Sequence, residues 1–376
     1  MRPARAAVQG ALIAMRVAIR ADASVQIGSG HVMRCLTLAD ALRARGADVR
    51  FISRAHQGGA QALLVQRGYP CHVLPPAVPA APAGDLAHSA WLGVRWEEDL
   101  AQSSAALAGW SPDWLVVDHY GIDWRWEQAM RRHAPRIMAI DDVADRRHDC
   151  DLLFDQNYYS DMDRRYAGLV PPHCTCLLGP GYALLRPEFA AAAGTLSREA
   201  GPVRRILLFM GGMDQDNATG IALLGLQDAA RAGVAIDVVL GASAPHREQV
   251  RALCGGTPNA RLHVQVDNMA ELMAQADLAI GACGSATWER CFLGLPTIAI
   301  VLADNQRRSA ADLAAAGYIV NLGDVAAVTP EAVGRAVAAL SADTAGRMAL
   351  SRRARELTRR RSRTAADLIC EGMPHA

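Results

Sequence analysis

The sequence predicts an α/β protein made of two doubly wound domains, each a parallel sheet wrapped by helices. Short β-branched or apolar runs alternate with helical stretches, and this alternation occurs twice along the chain. At 376 residues, 51% of them hydrophobic, the chain is long enough for two cores, at about 100 to 200 residues per domain. No run approaches the roughly 18 to 20 apolar residues that crossing a bilayer requires.

The N-terminal stretch "MRPARAAVQGALIAM" carries two arginines and a weak apolar run, but Gln9 and Gly10 break it and no clear cleavage site follows. It leads into "RVAIRAD", which reads as the first buried strand. Met15 is therefore a candidate start, and a chain beginning there is expected to fold and keep its activity. "ADVRFISR", "CHVLP", "DWLVVDHY", "RIMAIDD", "DLLFDQN" and "TCLLGP" continue the first set of strands, with helical stretches such as Val32 to Arg45 between several of them. Pro76 to Pro82, "PAVPAAP", removes amide donors and fixes φ repeatedly, so it is expected to be an exposed loop. "RRILLFMGG", "AIDVVLGAS", "ARLHVQVD", "DLAIGACG", "PTIAIVLA" and "GYIVNLGD" form the second set. The join falls between residues 181 and 202, giving expected domains at 15–185 and 200–345. Residues 346–376 are expected as a closing helix and tail: "RRARELTRRRSRTAADLICEGM" reads as one arginine-rich helix with Leu357, Ala365, Leu368 and Ile369 on its apolar side.

Charge excludes some partners. With 39 Lys plus Arg against 38 Asp plus Glu, nothing in the balance argues for nucleic acid, and no membrane partner is expected. Nine cysteines without a C-x-x-C pair fit neither a disulfide framework nor a zinc site, so reduced thiols in the cytoplasm are expected. Cys174 and Cys176 alternate in "HCTCLL" and read as small apolar residues on one strand face. The chain is taken as a monomer.

Chemistry is expected at the carboxyl ends of the strands, where an open parallel sheet presents loops and helix N-termini. "QIGSGHVMR" follows the first strand. Gly28 and Gly30 let the backbone turn tightly and approach a ligand, and the spacing G-x-G-H matches neither a dinucleotide fingerprint nor a P-loop. His31, in the positive field of a helix start, is a candidate general base or, equally, a residue that caps the turn or holds a phosphate. In "DWLVVDHYGID", Asp118 and Tyr120 are candidates for positioning a substrate, although Asp118 also suits a turn cap. His119 is a weaker candidate, because neighbouring strand residues point to opposite faces.

The second domain opens with "LLFMGGMDQDNAT", where Gly211, Gly212 and Asp214 precede a helix in a loop suited to a diphosphate. "GACGSATWERCFLGLP" adds Gly284 and Ser285, whose amides face phosphate oxygens, and Glu289, a carboxylate able to accept from the vicinal hydroxyls of a ribose. Asn305 and Gln306, in "VLADNQ", are turn formers or sugar contacts.

Taken in order, "IRADASVQIGSGHVMRCLTLADAL", "VVDHYGID", "FMGGMD", "GACGSATWE" and "DNQ" resemble the UDP-2,4-diacetamido-2,4,6-trideoxy-β-L-altropyranose hydrolase family of pseudaminic acid biosynthesis. The first block is specific. The later ones are shared with lipid II-forming N-acetylglucosaminyltransferases and other nucleotide-sugar enzymes of GT-B fold. The resemblance implies two Rossmann-like domains facing a deep cleft, UDP held mainly by the second, and no metal or other cofactor. It puts the catalytic histidine on His31 and the substrate among Gly28, Gly30, Arg34 and the residues named above. The fourteen leading residues, Met213 in the glycine loop and Trp288 before Glu289 depart from the family pattern.

The activity this implies is hydrolysis: His31 takes a proton from water attacking the anomeric carbon, releasing UDP and free sugar with inversion. Three alternatives share the UDP site. A glycosyltransferase adds an acceptor groove, a UDP-sugar 2-epimerase adds further carboxylates and histidines, and a nucleotide-sugar sensor has no need of His31.

Overall fold

The computed structural model describes residues 14–76 and 84–371. In the first sheet, β1 (Arg16–Ala21), β2 (Asp48–Arg54), β3 (Cys71–Leu74), β4 (Trp114–Asp118), β5 (Arg136–Ile140), β6 (Leu152–Asp155) and β7 (Thr175–Leu178) lie in the order β3-β2-β1-β4-β5-β6-β7. In the second, β8 (Arg205–Phe209), β9 (Ala235–Leu240), β10 (Ala260–Val264), β11 (Leu278–Ala282), β12 (Thr297–Val301) and β13 (Val320–Asp324) lie in the order β10-β9-β8-β11-β12-β13. Every strand falls inside a run that the sequence marks, and every pairing is parallel. The fold is thus a two-domain, Rossmann-like α/β architecture.

Strand order explains why distant motifs meet. In each sheet the strand order reverses beside the first strand, so β1 neighbours β4 and β8 neighbours β11. Loops leaving that pair open a crevice at the carboxyl edge. Register completes the placement in the first sheet, where Ala21 pairs with Asp118 and the G-x-G-H loop departs level with the end of β4.

The central strands of both sheets are buried on both faces. Along β1, Val17 and Ile19 enter one core with Val32, Leu36 and Leu38, while Ala18 enters the opposite one with Leu115, Val117 and Trp126, as a period of two requires. Arg20 breaks the apolar run. It is fully buried, and donates to Asp22 at 2.6 Å and to Asp99 at 2.7 Å, with Arg54 completing the cluster on Asp99 at 2.7 Å. Four charges of balanced sign thus anchor the strand end from which the first loop leaves.

The tail corrects one expectation. Instead of a single helix there are two, Thr344–Leu357 and Ala365–Glu371. The intervening "RRRSR" has no apolar residue to bury, and Thr364 and Asp367 start the last helix as a capping box: the Asp367 amide donates to Thr364 Oγ1 at 3.3 Å and the Thr364 amide to Asp367 Oδ2 at 2.8 Å. Arg361 donates its amide to the Gly181 carbonyl at 3.2 Å as the chain crosses back. Ala365, Ala366, Leu368 and Ile369 then join the core of the first domain.

Residues 1–13 and the proline segment from residue 77 to 83 lie outside the described residues, and with them most of what was expected of the N-terminus and of that loop. Met15 is described: it packs against the first core, and its carbonyl accepts from the Asp48 amide at 2.8 Å. All nine cysteines are free, and Cys174 and Cys176 pack half-buried against the other core of the first domain. No helix among the described residues is long and apolar enough to cross a membrane.

Two stability predictions follow from the packing. Ile369 is fully buried, so Ile369→Ala should destabilise by about 2 to 4 kcal/mol, read as a lower urea midpoint with an unchanged slope. His148 is buried, its Nδ1 2.8 Å from Glu127 and its Nε2 3.6 Å from Asp141. Burial by itself would depress its pKa, but the two carboxylates carry it up to about 9. The folded protein therefore holds this proton more tightly than the unfolded chain, whose histidines titrate near about 6.5. The contribution is complete below that pH and is lost as pH rises toward 9. Melting temperature should fall across this window, and His148→Asn should flatten the slope.

Candidate active site

The loop after β1 is built around Ser24 and Gly28. The Gly28 amide donates to the Ser24 carbonyl at 2.8 Å, and the Ile27 amide to Ser24 Oγ at 2.9 Å. Gly28 has φ +77, a left-handed conformation that favours glycine. The helix Gly30–Arg43 starts immediately afterwards, and Ser29 at its N-cap makes no side-chain capping bond. The first-turn amides are therefore left without a side-chain partner.

Three residues of that helix converge on one carboxylate. His31, Arg34 and Cys35 stand at i, i+3 and i+4, so they share a face, and that face meets Asp118 at the end of β4. Arg34 donates through Nε to Asp118 Oδ2 and through Nη2 to Oδ1, both at 2.7 Å. His31 Nδ1 lies 2.5 Å from Oδ1, and Cys35 Sγ 3.4 Å from Oδ2. Asp118 is fully buried, which by itself would raise its pKa, but the Arg34 guanidinium and His31 hold the carboxyl ionised, well below the usual range. An ionised carboxylate only accepts, so Nδ1 carries the hydrogen in this bond. Nε2 has no hydrogen-bond partner among the described residues and is not sealed from solvent.

Asp118 and Tyr120 are engaged within the protein. Asp118 is consumed by His31, Arg34 and Cys35. The Tyr120 hydroxyl donates to Asp142, and its buried ring stands edge-on to His31 with centroids 4.6 Å apart. His119 turns to the other face of the strand, its Nε2 3.4 Å from Asp22. The sequence reading missed Asp142, which also accepts from Arg34 Nη1 at 2.9 Å, and missed Trp91, stacked on Tyr120 at 5.4 Å. An aspartate repeated in "IDD" and a tryptophan in a short turn gave no local sign of convergence.

Across the cleft, the loop after β8 places Gly211 at φ +96. A Cβ on Gly212 would lie 3.6 Å from Ser29 Oγ, so the glycine loops of the two domains face each other. Gly241, also missed, abuts this loop: a Cβ there would come within 2.2 Å of the Gly212 carbonyl oxygen. Asp214 lines the cleft and is also engaged by its own helix. Its buried carboxylate accepts from the amides of Ala218 at 2.9 Å and Thr219 at 3.0 Å, and Asn217 accepts from Gly220 at 3.2 Å. The helix Ala218–Gly225 is thus capped by its own chain, and its first turn does not offer these amides to a diphosphate.

The turn after β11 differs. Ser285 makes no side-chain capping bond for the helix Ala286–Phe292. Glu289 pairs with Arg186 at 3.2 Å, while burial pushes its carboxyl above the usual range. Beneath the turn, buried Arg290 donates to the Ala282 carbonyl at 2.6 Å, and its Nε and Nη1 have no partner among the described residues. Gln306 accepts from the Leu302 amide at 3.1 Å, whereas Asn305 is exposed and stands off the cleft wall, contrary to expectation. Its place in the first turn of the helix Asp304–Ala315 turns it outward.

These loops enclose a cavity of about 510 Å³ between the domains. Gly28, Gly30, Arg34, Gly211, Gly212, Asp214, Gly284, Ser285, Glu289 and Gln306 line it, with Met213 and Ser29. His31 lies beside that wall, at 8% exposure, between the lining residues Gly30 and Arg34. Among the described residues no group of three or more His, Cys, Asp or Glu side chains is arranged to hold a metal ion.

Comparison with known proteins places the chain among nucleotide-sugar enzymes. Residues 220–368 match the glycosyltransferase family 28 C-terminal domain. The chain is 28% identical over 309 residues to the UDP-2,4-diacetamido-2,4,6-trideoxy-beta-L-altropyranose hydrolase of Campylobacter jejuni, covering 81% of this chain and 98% of that protein. It is 30% identical over 341 residues to the UDP-N-acetylglucosamine–N-acetylmuramyl-(pentapeptide) pyrophosphoryl-undecaprenol N-acetylglucosamine transferase of Mycobacterium bovis, covering 84% and 80%. Its fold is similar to that of MurG from Acinetobacter baumannii, with a TM-score of 0.63 at 15% identity over 95% of this chain and 98% of that one. The chain belongs to the GT-B-fold family of nucleotide-sugar enzymes that contains this hydrolase and this transferase.

Proposed function

We propose that the protein hydrolyses a UDP-2,4-diacetamido-2,4,6-trideoxy sugar, the step that frees such a sugar in pseudaminic acid biosynthesis. The observation that carries this reading is the bond between His31 Nδ1 and the ionised Asp118, which leaves Nε2 as the ring's basic nitrogen beside the cleft. The hydrolase relative, matched over 98% of its own length, supplies the substrate class.

In this mechanism, His31 Nε2 takes a proton from water as the water oxygen attacks the anomeric carbon. The bond from that carbon to the diphosphate oxygen breaks, UDP leaves with the bonding pair, and the free sugar carries the inverted configuration. Asp118 holds the ring in the required tautomer and stabilises the imidazolium that forms, and Arg34 holds Asp118. The open first turns at Gly30 and Ser285 receive the diphosphate charge, and Glu289 accepts from the ribose hydroxyls. Nine free thiols suit the cytoplasm as the place of action.

A transferase reading is favoured by the family 28 match over residues 220–368 and by the 30% identical N-acetylglucosamine transferase relative. There His31 would deprotonate an acceptor hydroxyl instead of water. Incubation with a UDP-2,4-diacetamido sugar and no acceptor separates the two: release of UDP supports the hydrolase, and release only after an acceptor is added supports the transferase.

With the same assay, His31→Asn should lower turnover by about 10² to 10⁴ while UDP affinity stays within twofold of wild type. A variant with near-normal turnover would sink the base assignment. Glu289→Ala should weaken UDP binding by about 1.5 to 3 kcal/mol, the range for a hydrogen bond to a charged group. Unchanged affinity in calorimetry would remove Glu289 from the ribose site.

A further inference from the structure

A chain of hydrogen bonds leaves His31 and ends in the other domain. From Asp118 it passes to Arg34, whose Nη1 donates to Asp142 Oδ2 at 2.9 Å. Asn157 Nδ2 donates to the same oxygen at 3.1 Å. Asn157 Oδ1 in turn accepts from Trp288 Nε1 at 3.2 Å. Trp288 is 2% exposed and immediately precedes Glu289, on the helix that begins at the Ser285 turn. The joint lies beside the segment that links the domains, since neighbouring Gln156 accepts from the Leu184 amide at 3.1 Å.

Donor chemistry fixes the joint. An indole only donates and a carboxylate only accepts, so the Asn157 amide stands one way round, oxygen to Trp288 and nitrogen to Asp142. Aspartate of the same size would satisfy Trp288 but set a second carboxylate against Asp142. Asp142 also accepts the Tyr120 hydroxyl, so it governs both Arg34 and the ring packed edge-on against His31.

Resting on the reading of His31 as the base, we propose that Trp288 and Asn157 are positioning residues that hold His31 in line from the opposite domain through Asp142. Trp288, which departs from the family pattern, thereby acquires a task. Contacts outside this chain join the same domains independently: Ser160 donates to Asp312 at 2.9 Å, Arg308 pairs with Asp161 at 2.5 Å, and the Tyr158 and Tyr318 rings lie 5.3 Å apart. Loss of one indole N–H should therefore leave the domains joined while His31 loses its alignment.

Trp288→Phe keeps an aromatic six-membered ring in the core, removes the donor and leaves a small void. Turnover should fall about three- to tenfold, the worth of one neutral hydrogen bond, while UDP affinity stays within twofold and the melting temperature falls by only a few degrees. In a His31→Asn background the same substitution should cost nothing further, because its effect runs through the imidazole. If Trp288→Phe leaves turnover intact, or slows the His31→Asn protein by the same factor as wild type, the proposal is overturned although the base assignment stands. If His31→Asn itself keeps normal turnover, it is the base assignment that fails, and the proposal with it. Asn157→Asp gives the same reading should Trp288→Phe fail to fold. Independently of any substrate, the downfield Nδ1 proton of His31 should shift in the Trp288→Phe spectrum, and an unmoved signal overturns the proposal.

Discussion

Everything at the cleft depends on one buried carboxylate. Asp118 has no exposure to solvent, and an ion of that size taken from water costs several kcal/mol unless its oxygens are filled. Arg34 fills them from two nitrogens and His31 from a third. The arrangement pins the start of the first helix against β4, selects the tautomer of His31, and aims the remaining guanidinium nitrogen at Asp142. Removing either partner would strand a buried charge, so loop, ring and helix stand or fall together.

Three of the helix N-termini at the cleft are treated differently. The one after β8 is closed by Asp214 and Asn217, while Ser29 and Ser285 leave theirs without a side-chain cap. Negative charge on a ligand thus finds favourable dipoles at two of the three ends and a carboxylate at the third. A hydrolase and a transferase use this arrangement alike. In the proposed mechanism they differ only in what stands opposite Nε2 of His31.

The fold was legible because parallel strands are short β-branched or apolar runs separated by helical stretches, and all thirteen fall inside such runs. Gly28 and Gly211 were legible because their backbone conformations suit few other residues. What a single sequence hides is pairing between distant positions. Nothing near Asp118 tells that its partners lie 84 and 87 residues away, nor that Asn157 reaches Trp288 across 131 residues. The capping bonds of Asp214 were hidden because an aspartate before a helix serves a cap as readily as a ligand. The break in the tail was within reach: Thr364 and Asp367 form a start signal that the arginine run before them obscures.

The return of the last helix has a consequence for how the protein is made. Ala365 and Ile369 belong to the core of the first domain, although the whole second domain separates them from it in sequence. During synthesis, the first domain emerges from the ribosome with that part of its core uncovered. It stays so until residue 369 has cleared the exit tunnel. The nascent first domain must wait for its lid while about two hundred further residues are translated, at roughly 5 to 20 per second. That interval of ten seconds or more is when a chaperone has most reason to hold it.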